Sequence, residues 1–337
     1  MTVLVTGAAG FIGMTLSQQL LARGETVIGV DDLNDYYDPA LKLARLATLT
    51  DKPGFTFQKL DIADTDAVLA LNDPALKIDR IVNLAAQAGV RYSLKNPYAY
   101  IRSNLLGHLN VMELARSIDG FRHMVYASSS SVYGGNTKVP FSVDDRTDTP
   151  VSLYAATKRS DELMSHSYSH LYDIPMTGLR FFTVYGPWGR PDMAAWIFVE
   201  KMLRGEKIPV FNNGDMYRDF TYIDDIVEGI VRVIDKPATI DGTWDAENPS
   251  PATAAAPYQL HNIGSNNPQP LMRYIEVLEK CLGKVAEKNM LPMQPGDVRD
   301  TYADVSTLME AVGYKPKTSI DDGIREFVQW YKAYNNL

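Results

Sequence analysis

The first 180 residues alternate between two periodicities. Short apolar runs fall at 2–5, 26–30, 55–60, 80–84, 123–127 and 176–181, each long enough for a strand buried on both faces. Between them apolar residues recur at helical spacing. Leu16 and Leu20 do so in a segment closed by Arg23-Gly24, and longer helices are predicted over 97–118 and 151–171. Strands alternating with helices predict a parallel sheet covered on both faces, with ligands bound at the carboxyl ends of the strands. The polar and glycine-rich motifs follow the strands at that same edge.

After Arg180 the alternation loosens. Gly186-Pro187-Trp188-Gly189-Arg190-Pro191 is a turn-rich loop. A helix is predicted over 195–203 and a short strand over 208–211. Another helix follows Arg218-Asp219-Phe220-Thr221-Tyr222-Ile223-Asp224-Asp225. Residues 236–257, rich in Pro, Ala, Thr and acids, predict a solvated loop or an insertion. A strand over 260–263 and helices over 271–282 and 305–312 come next. The chain closes on a helix over 320–334 with Ile324, Phe327, Val328 and Tyr331 on one face. The expected fold class is α/β: a Rossmann-like doubly wound parallel sheet over 1–180 and a smaller mixed α/β domain over 181–337. The chain is expected to cross back to the first domain near 212–240 and 258–265.

Composition narrows the function. The chain has 337 residues, 45% hydrophobic and 22% charged, an ordinary globular balance. A net charge of −8 argues against a nucleic-acid or membrane-surface binder, although local arginines can still hold an anionic substrate. Cys281 is the single cysteine, which rules out an intrachain disulfide and a Cys-based zinc site. No apolar run reaches the ~18 residues of a membrane helix, and the chain enters a strand at once, so a cytoplasmic protein is expected. His166 and His170 share a helix face, but no third ligand accompanies them; a solvated face, not a metal site, is expected.

The candidate chemistry gathers on three motifs. Gly7, Gly10 and Gly13 lie between strand and helix, where glycine lets the backbone approach a pyrophosphate at a helix N-terminus. Asp31-Asp32 ends the second strand, placed to meet the ribose hydroxyls of NAD and to repel the 2′-phosphate of NADP. Asp61-Ile62 is placed to meet the adenine. Tyr154 and Lys158 stand one helical turn apart, so the ammonium favours the phenolate. With the serine tract Ser128-Ser129-Ser130-Ser131, this makes a general base poised on an alcohol.

Thr6-Gly7-Ala8-Ala9-Gly10-Phe11-Ile12-Gly13, the serine tract, Tyr154-x-x-x-Lys158 and the 218–225 motif resemble the nucleotide-sugar members of the extended short-chain dehydrogenase/reductase family. The resemblance covers nearly the whole chain except 236–257. The segments 32–38, 186–193 and 294–298 most resemble its UDP-glucuronate 4-epimerases. The resemblance implies a tightly held NAD, contacted also by Phe11, Ile12, Asn34, Leu84, Ala85, Ala86, Asn104 and Phe181. Ser129 would hydrogen-bond the sugar 4-hydroxyl and Tyr154 would remove its proton while C4 gives up a hydride. Lys158 would bind the nicotinamide ribose. The 4-keto ring would then turn over and regain the hydride on its other face. A homodimer through the helices near 97–118 and 151–171 is implied as well.

A 4-keto uronate is a β-keto acid and loses CO₂ readily. Relatives that decarboxylate or dehydrate tend to carry a carboxylate just before the Val-Tyr-Gly after the serine strand; Ser130 and Ser131 stand there instead. With Thr183 as hydrogen-bond donor and Arg190 as counter-ion, they are expected to hold the sugar carboxylate. Arg218 is expected on the diphosphate, Val210 and Phe211 under the uracil, and Gln294 and Asp297 near the ribose and phosphate. The alternatives are a UDP-glucose or UDP-pentose 4-epimerase, a UDP-glucuronate decarboxylase, a dehydrogenase that releases NADH, and a non-catalytic NAD-binding sensor.

Overall fold

The computed structural model describes residues 1–294 and 296–337. Six strands follow the apolar runs: β1 (Thr2–Thr6), β2 (Thr26–Asp31), β3 (Phe55–Lys59), β4 (Arg80–Asn83), β5 (His123–Ser129) and β6 (Met176–Phe181). The helices among them are α1 (Phe11–Ala22), α2 (Pro39–Ala47), α3 (Thr65–Leu69), α4 (Pro97–Tyr100), α5 (Gly107–Ser117) and α6 (Leu153–Tyr172). Beyond β6 come β7 (Thr183–Tyr185), α7 (Ala194–Arg204), β8 (Ile208–Val210), β9 (Tyr217–Arg218), β10 (Phe220–Tyr222) and α8 (Ile223–Asp235). The chain finishes with β11 (Tyr258–Ile263), β12 (Gln269–Pro270), α9 (Leu271–Leu282), β13 (Lys288–Met290), α10 (Ser306–Val312) and α11 (Ile320–Tyr334).

Seven strands form one parallel sheet in the order β11-β6-β5-β4-β1-β2-β3. β11 joins through its register with β6, so the chain returns to the large sheet after leaving it. One face packs on α1, α8 and α10 through Met14, Leu16, Ile226, Ile230 and Leu308. The other packs on α3, α5 and α6 through Val68, Val111, Leu114 and Met164. A third core unites α7, α9 and α11 through Phe198, Ile275, Leu278 and Phe327. Each of these side chains that is fully buried, Met164 being only partly so, contributes ~1.5–3 kcal/mol relative to exposure.

Three local departures from the sequence expectations have physical causes. The helix expected over 97–118 is helical throughout but interrupted by a π turn at Ile101–Leu106, which carries Asn104. The extra residue per turn rotates the following face. Helix α2 was not anticipated, although Asp38 caps it by accepting from the Ala40 amide and Pro39 fills its first turn. Residues 236–257 form no helix or strand, but they are not simply solvated. Ala252, Ala254 and Ala256 are buried against Tyr258, Leu260 and Met176, because small side chains let a loop lie flat on the sheet.

Candidate active site

The carboxyl ends of β1, β2, β4, β5 and β6 open into one cavity of about 680 Å³, roofed by segments after β6 and by residues 296–301. Gly7, Gly10, Phe11, Ile12 and Gly13 form one end. Gly7 holds a φ of +70°, and a Cβ on Gly13 would stand 2.1 Å from the Gly7 carbonyl oxygen. Only glycine permits that turn. It leaves the start of α1, with no side-chain cap, as a cradle of the shape a pyrophosphate requires.

Asp31 and Asp32 lie at the next strand end. The Ala9 amide donates to Asp31 at 3.2 Å and the Leu33 amide at 2.9 Å, and Lys42 stands 3.6 Å away. Burial nonetheless pushes the Asp31 carboxyl above its ordinary value. Asp32 accepts from the backbone and side chain of Asn34. Asp61 and Ile62 follow, with Asp61 paired to Arg102 at 2.8 Å. Leu84, Ala85 and Ala86 make the wall beneath, and Phe181 lies beyond. Thr6 fixes this wall: its hydroxyl accepts from the Leu84 and Ala85 amides at 3.1 and 3.0 Å and donates to Asn83 at 2.6 Å. The glycine cradle, the paired acids and the apolar wall together fit a dinucleotide such as NAD.

The reacting centre sits at the middle of the cavity. Ser152 caps α6 by accepting from the Ala155 amide at 3.1 Å, which brings Tyr154 and Lys158 to the cavity in its first two turns. The Tyr154 ring meets Tyr100 edge-on at 6.0 Å, and its hydroxyl has no hydrogen-bond partner among the described residues. Lys158 donates to the Ala127 carbonyl at 2.8 Å and to Asp161 at 3.1 Å. The Ser129 hydroxyl accepts from the Ser131 amide at 3.1 Å, which leaves its own proton to donate.

Under the serine tract lies a buried ionic cluster that sequence reasoning missed. Ser128 donates to Glu162 at 2.6 Å; Arg180 donates to both Glu162 oxygens at 2.8 and 3.0 Å, and Arg159 adds 2.8 Å. Glu162 and Arg180 are fully buried. Burial pushes the Glu162 carboxyl up, but Arg180 outweighs it and holds the group below the carboxylate range. Arg180 sits beside Ser128 in the β5–β6 register, so the pair anchors the strand end from which Ser129, Ser130 and Ser131 reach the cavity. Glu162 follows Lys158 by one helical turn, the one local signal that could have found it.

At the other end, Ser130, Ser131, Thr183, Arg190, Phe211, Arg218 and Asp297 all line the cavity. Arg190 makes a two-point pair with Asp192 at 2.9 and 2.6 Å, and Tyr36 donates to the same carboxylate at 3.1 Å. Arg190 is thus a counter-ion already shared, with its Nη1 unpartnered among the described residues. Arg218 is different. It donates to the carbonyls of Tyr217, Arg299 and Val298 at 2.8–2.9 Å and has no carboxylate within ion-pair distance among the described residues. Burial lowers its pKa; a cation held by neutral carbonyls leaves its charge for an anionic ligand. Asp219, next in the motif, is a structural hub that gathers the amides of Ser265, Asn266 and Ala303. Its carbonyl receives the Thr183 amide at 3.2 Å.

Three expected contacts do not reach the cavity. Val210 is fully buried in the third core, because side chains on a strand alternate and its strand neighbour Pro209 faces the cavity; Phe211, in the turn after β8, lines the cavity too. Gln294 is not among the described residues that line the cavity, whereas Gly296, Asp297 and Val298 are. Asn104 is buried behind the wall. It accepts from the Gln87 amide at 2.8 Å and donates to Thr157 at 3.0 Å, tying the loop after β4 to α6. Conversely, Arg91 lines the cavity unanticipated. It lies 4.6 Å over the Phe211 ring and pairs with Asp297 at 2.8 Å, bridging the two sides of the cleft.

Known proteins resemble this chain along nearly its whole length. A model of the NAD dependent epimerase/dehydratase family matches residues 3–245. A probable UDP-glucuronate 4-epimerase of Rhizobium meliloti is 47% identical over 335 residues, 98% of this chain and 97% of the relative. UDP-glucuronate 4-epimerase 4 of Arabidopsis thaliana is 46% identical over 337 residues, 99% of this chain and 76% of that protein. Among solved structures, UDP-glucuronic acid 4-epimerase from Bacillus cereus in complex with UDP-glucuronic acid and NAD aligns with a TM-score of 0.87 at 34% identity, over 99% of this chain and 100% of that one. Sequence and geometry agree from the glycine cradle to the C-terminal helices, and the chain belongs to the NAD-dependent epimerase/dehydratase family, within the extended short-chain dehydrogenases/reductases.

Proposed function

We propose that this protein interconverts UDP-glucuronate and UDP-galacturonate by transient oxidation at C4. The observation that carries the reading is a set of polar groups lining one cavity with a dinucleotide cradle: the Tyr154 phenol, without a hydrogen-bond partner among the described residues, Ser129 with a proton to donate, Ser130, Ser131, Thr183 and Arg190. Bound at that cradle, NAD supplies a reversible acceptor for the C4 hydrogen. Tyr154 takes the proton of the 4-hydroxyl and returns it when the ring has turned over. Lys158 keeps that phenol in its basic form, and Ser129 holds the oxygen on which the carbonyl forms. Arg218 binds the diphosphate, with Arg91 and Phe211 against the nucleoside. Residues 1–180, joined by α8 and β11 where the chain crosses back, hold the cofactor and carry the catalytic serine, tyrosine and lysine, and most of the remainder serves the UDP-sugar.

Retaining the carboxylate distinguishes this reaction from decarboxylation. Arg190, Thr183 and the two serines hold that group so that its bond to C5 lies out of line with the C4 carbonyl, which suppresses CO₂ loss. The test is a product assay by NMR with UDP-glucuronate. UDP-galacturonate as the major product supports the reading; a UDP-pentose as the major product would overturn it in favour of a decarboxylase. In Arg190→Ala the UDP-pentose fraction is expected to rise at least several-fold. An unchanged ratio would remove Arg190 from this role.

Two coarser features accompany this reading. No helix of the described residues is long and apolar enough to cross a membrane, and we place the enzyme in the cytoplasm, where its nucleotide-sugar substrate would be met. The outer surface of the helices at 97–117 and 153–172 exposes Tyr98, Ile101, Leu106, Leu163, Leu171 and Tyr172, which favours a homodimer through these helices. Light scattering is expected to give twice the chain's 37.5 kDa; a monomeric mass at micromolar concentration would contradict it.

A further inference from the structure

The acid that follows Lys158 by one turn is unlike every other buried carboxylate near the site. Asp161 is 1% exposed. One of its oxygens meets the Lys158 ammonium at 3.1 Å, and the other, Oδ1, is buried with no hydrogen-bond partner among the described residues. Glu162 beside it is answered by two arginines and a serine. His108 faces α6 from α5 and cannot help: its Nδ1 accepts from the Asn83 amide at 3.0 Å, so its Nε2 donates to Ser165 at 2.8 Å and the ring is neutral. Among the described residues, Lys158 is therefore the only cation that answers Asp161. By the same contact, part of the charge of Lys158 is spent before it acts on the cavity.

We infer that Asp161 is a positioning residue that tethers Lys158 and tempers its charge, and so sets the pH at which Tyr154 becomes a base. The inference rests on the assignment of Tyr154 as that base. Lys158 would remain in place without the negative charge, since the Ala127 carbonyl also holds its ammonium at 2.8 Å. The other charged and titratable groups facing the Tyr154 phenol come from different elements. Tyr100 on α4 is neutral, with its hydroxyl donated to backbone carbonyls. Arg190, in the loop after β7, has its charge answered by Asp192. Both act on the phenol, Arg190 through its charge and Tyr100 through its neighbouring hydroxyl, but both stand unchanged in the Asp161 variants, so a displacement between parent and variant reports the Lys158–Asp161 pair.

The sign of the effect follows from burial. Desolvation pushes the Asp161 carboxyl up to about 6, although Lys158 pulls it the other way. Below that pH Asp161 is neutral and the charge of Lys158 faces the cavity unopposed. As pH rises through it, the carboxylate forms, the charge of Lys158 is partly cancelled, and ionisation of the phenol is pushed to higher pH. Asp161→Asn keeps the hydrogen bond to Lys158 and removes the charge. Its acid limb of kcat/KM is expected to have a midpoint about one pH unit lower than the parent, and its rate at pH 6, relative to the plateau, to be ~3–10-fold higher. The parental limb should carry a second ionisation near 6 that the variant lacks.

The phenol provides a readout independent of turnover. Phenolate absorbance is titrated in the parent and in Asp161→Asn, with Tyr154→Phe in each background subtracted to isolate Tyr154. The same downward displacement is expected. Should Asp161→Asn fail to fold, Asp161→Ser, neutral and smaller, is expected to give the same displacement in both measurements. Midpoints that stay put, or move upward, would overturn the inference. An inactive Tyr154→Phe beside an unmoved Asp161→Asn profile would overturn this role alone, whereas a fully active Tyr154→Phe would overturn the base assignment and this inference with it.

Discussion

Replacing Tyr154 by phenylalanine is expected to lower kcat for epimerisation by ~10²–10⁴-fold with little effect on stability, the loss typical of a removed general base. The change deletes one oxygen that has no partner among the described residues. It leaves the edge-on contact of the ring with Tyr100 intact, and Lys158 keeps both its acceptors. Substrate binding should survive, since Arg218, Arg91 and the serines are untouched. A fall in kcat with KM within a few-fold of the parent would locate the loss in the chemical step. A comparable loss in Lys158→Met would show that the two residues act as one unit. Steady-state kinetics with UDP-glucuronate, coupled to NMR detection of product, is the measurement.

The second large effect is on folding. Glu162→Gln or Arg180→Met is expected to cost ~3–5 kcal/mol in urea unfolding, because each leaves a fully buried charge without its main partner. The double change Glu162→Gln with Arg180→Met should be less damaging than the sum of the two, since no strong charge is stranded on β6. Activity should fall more than stability alone explains. Ser128 donates to Glu162 at 2.6 Å, so slackening that contact displaces Ser129, the next residue, which is proposed to touch the sugar. If Arg180→Met unfolds at the parental urea concentration with the parental slope, the cluster has no such role.

The part of the molecule written in contiguous residues was legible in the sequence. The glycine turn after the first strand, the acids after the second, the serines after the fifth and the tyrosine–lysine turn each declare themselves within a few positions, and a parallel sheet gathers such strand ends at one edge. What was not legible depends on partners far apart in the chain. Nothing near Arg180 announces that an arginine in an apolar run meets Glu162 across 18 residues, or that Arg91 reaches Asp297 across 206. Asn104 and Val210 show a different failure. Both sit in elements correctly expected, but a π turn and the two-residue period of a strand decide where a side chain points. The ion pair of Arg190 with Asp192 is likewise set by how the folded loop turns the two side chains, which a spacing of two residues does not announce.

The arrangement also suggests how one cavity protects a reactive intermediate. The two arginines at the substrate end are held in opposite ways. Arg218 is held by backbone carbonyls and has no carboxylate within ion-pair distance among the described residues, whereas Arg190 shares its charge with Asp192 and, through that acid, with Tyr36. On the proposed reading, a uronate arriving at Arg190 would meet a group whose direction is already fixed. Orientation, more than extra charge, is what holding a carboxylate out of line with a neighbouring carbonyl requires.

The most direct test follows one hydrogen. UDP-glucuronate labelled with deuterium at C4 is incubated with the enzyme in ordinary water and the product is examined by NMR and mass spectrometry. Retention of the label at C4 of UDP-galacturonate is predicted, because the hydrogen leaves and returns within a closed site while Tyr154 exchanges only the proton on oxygen. Product that carries solvent hydrogen at C4, formed at the rate of turnover, would contradict the account.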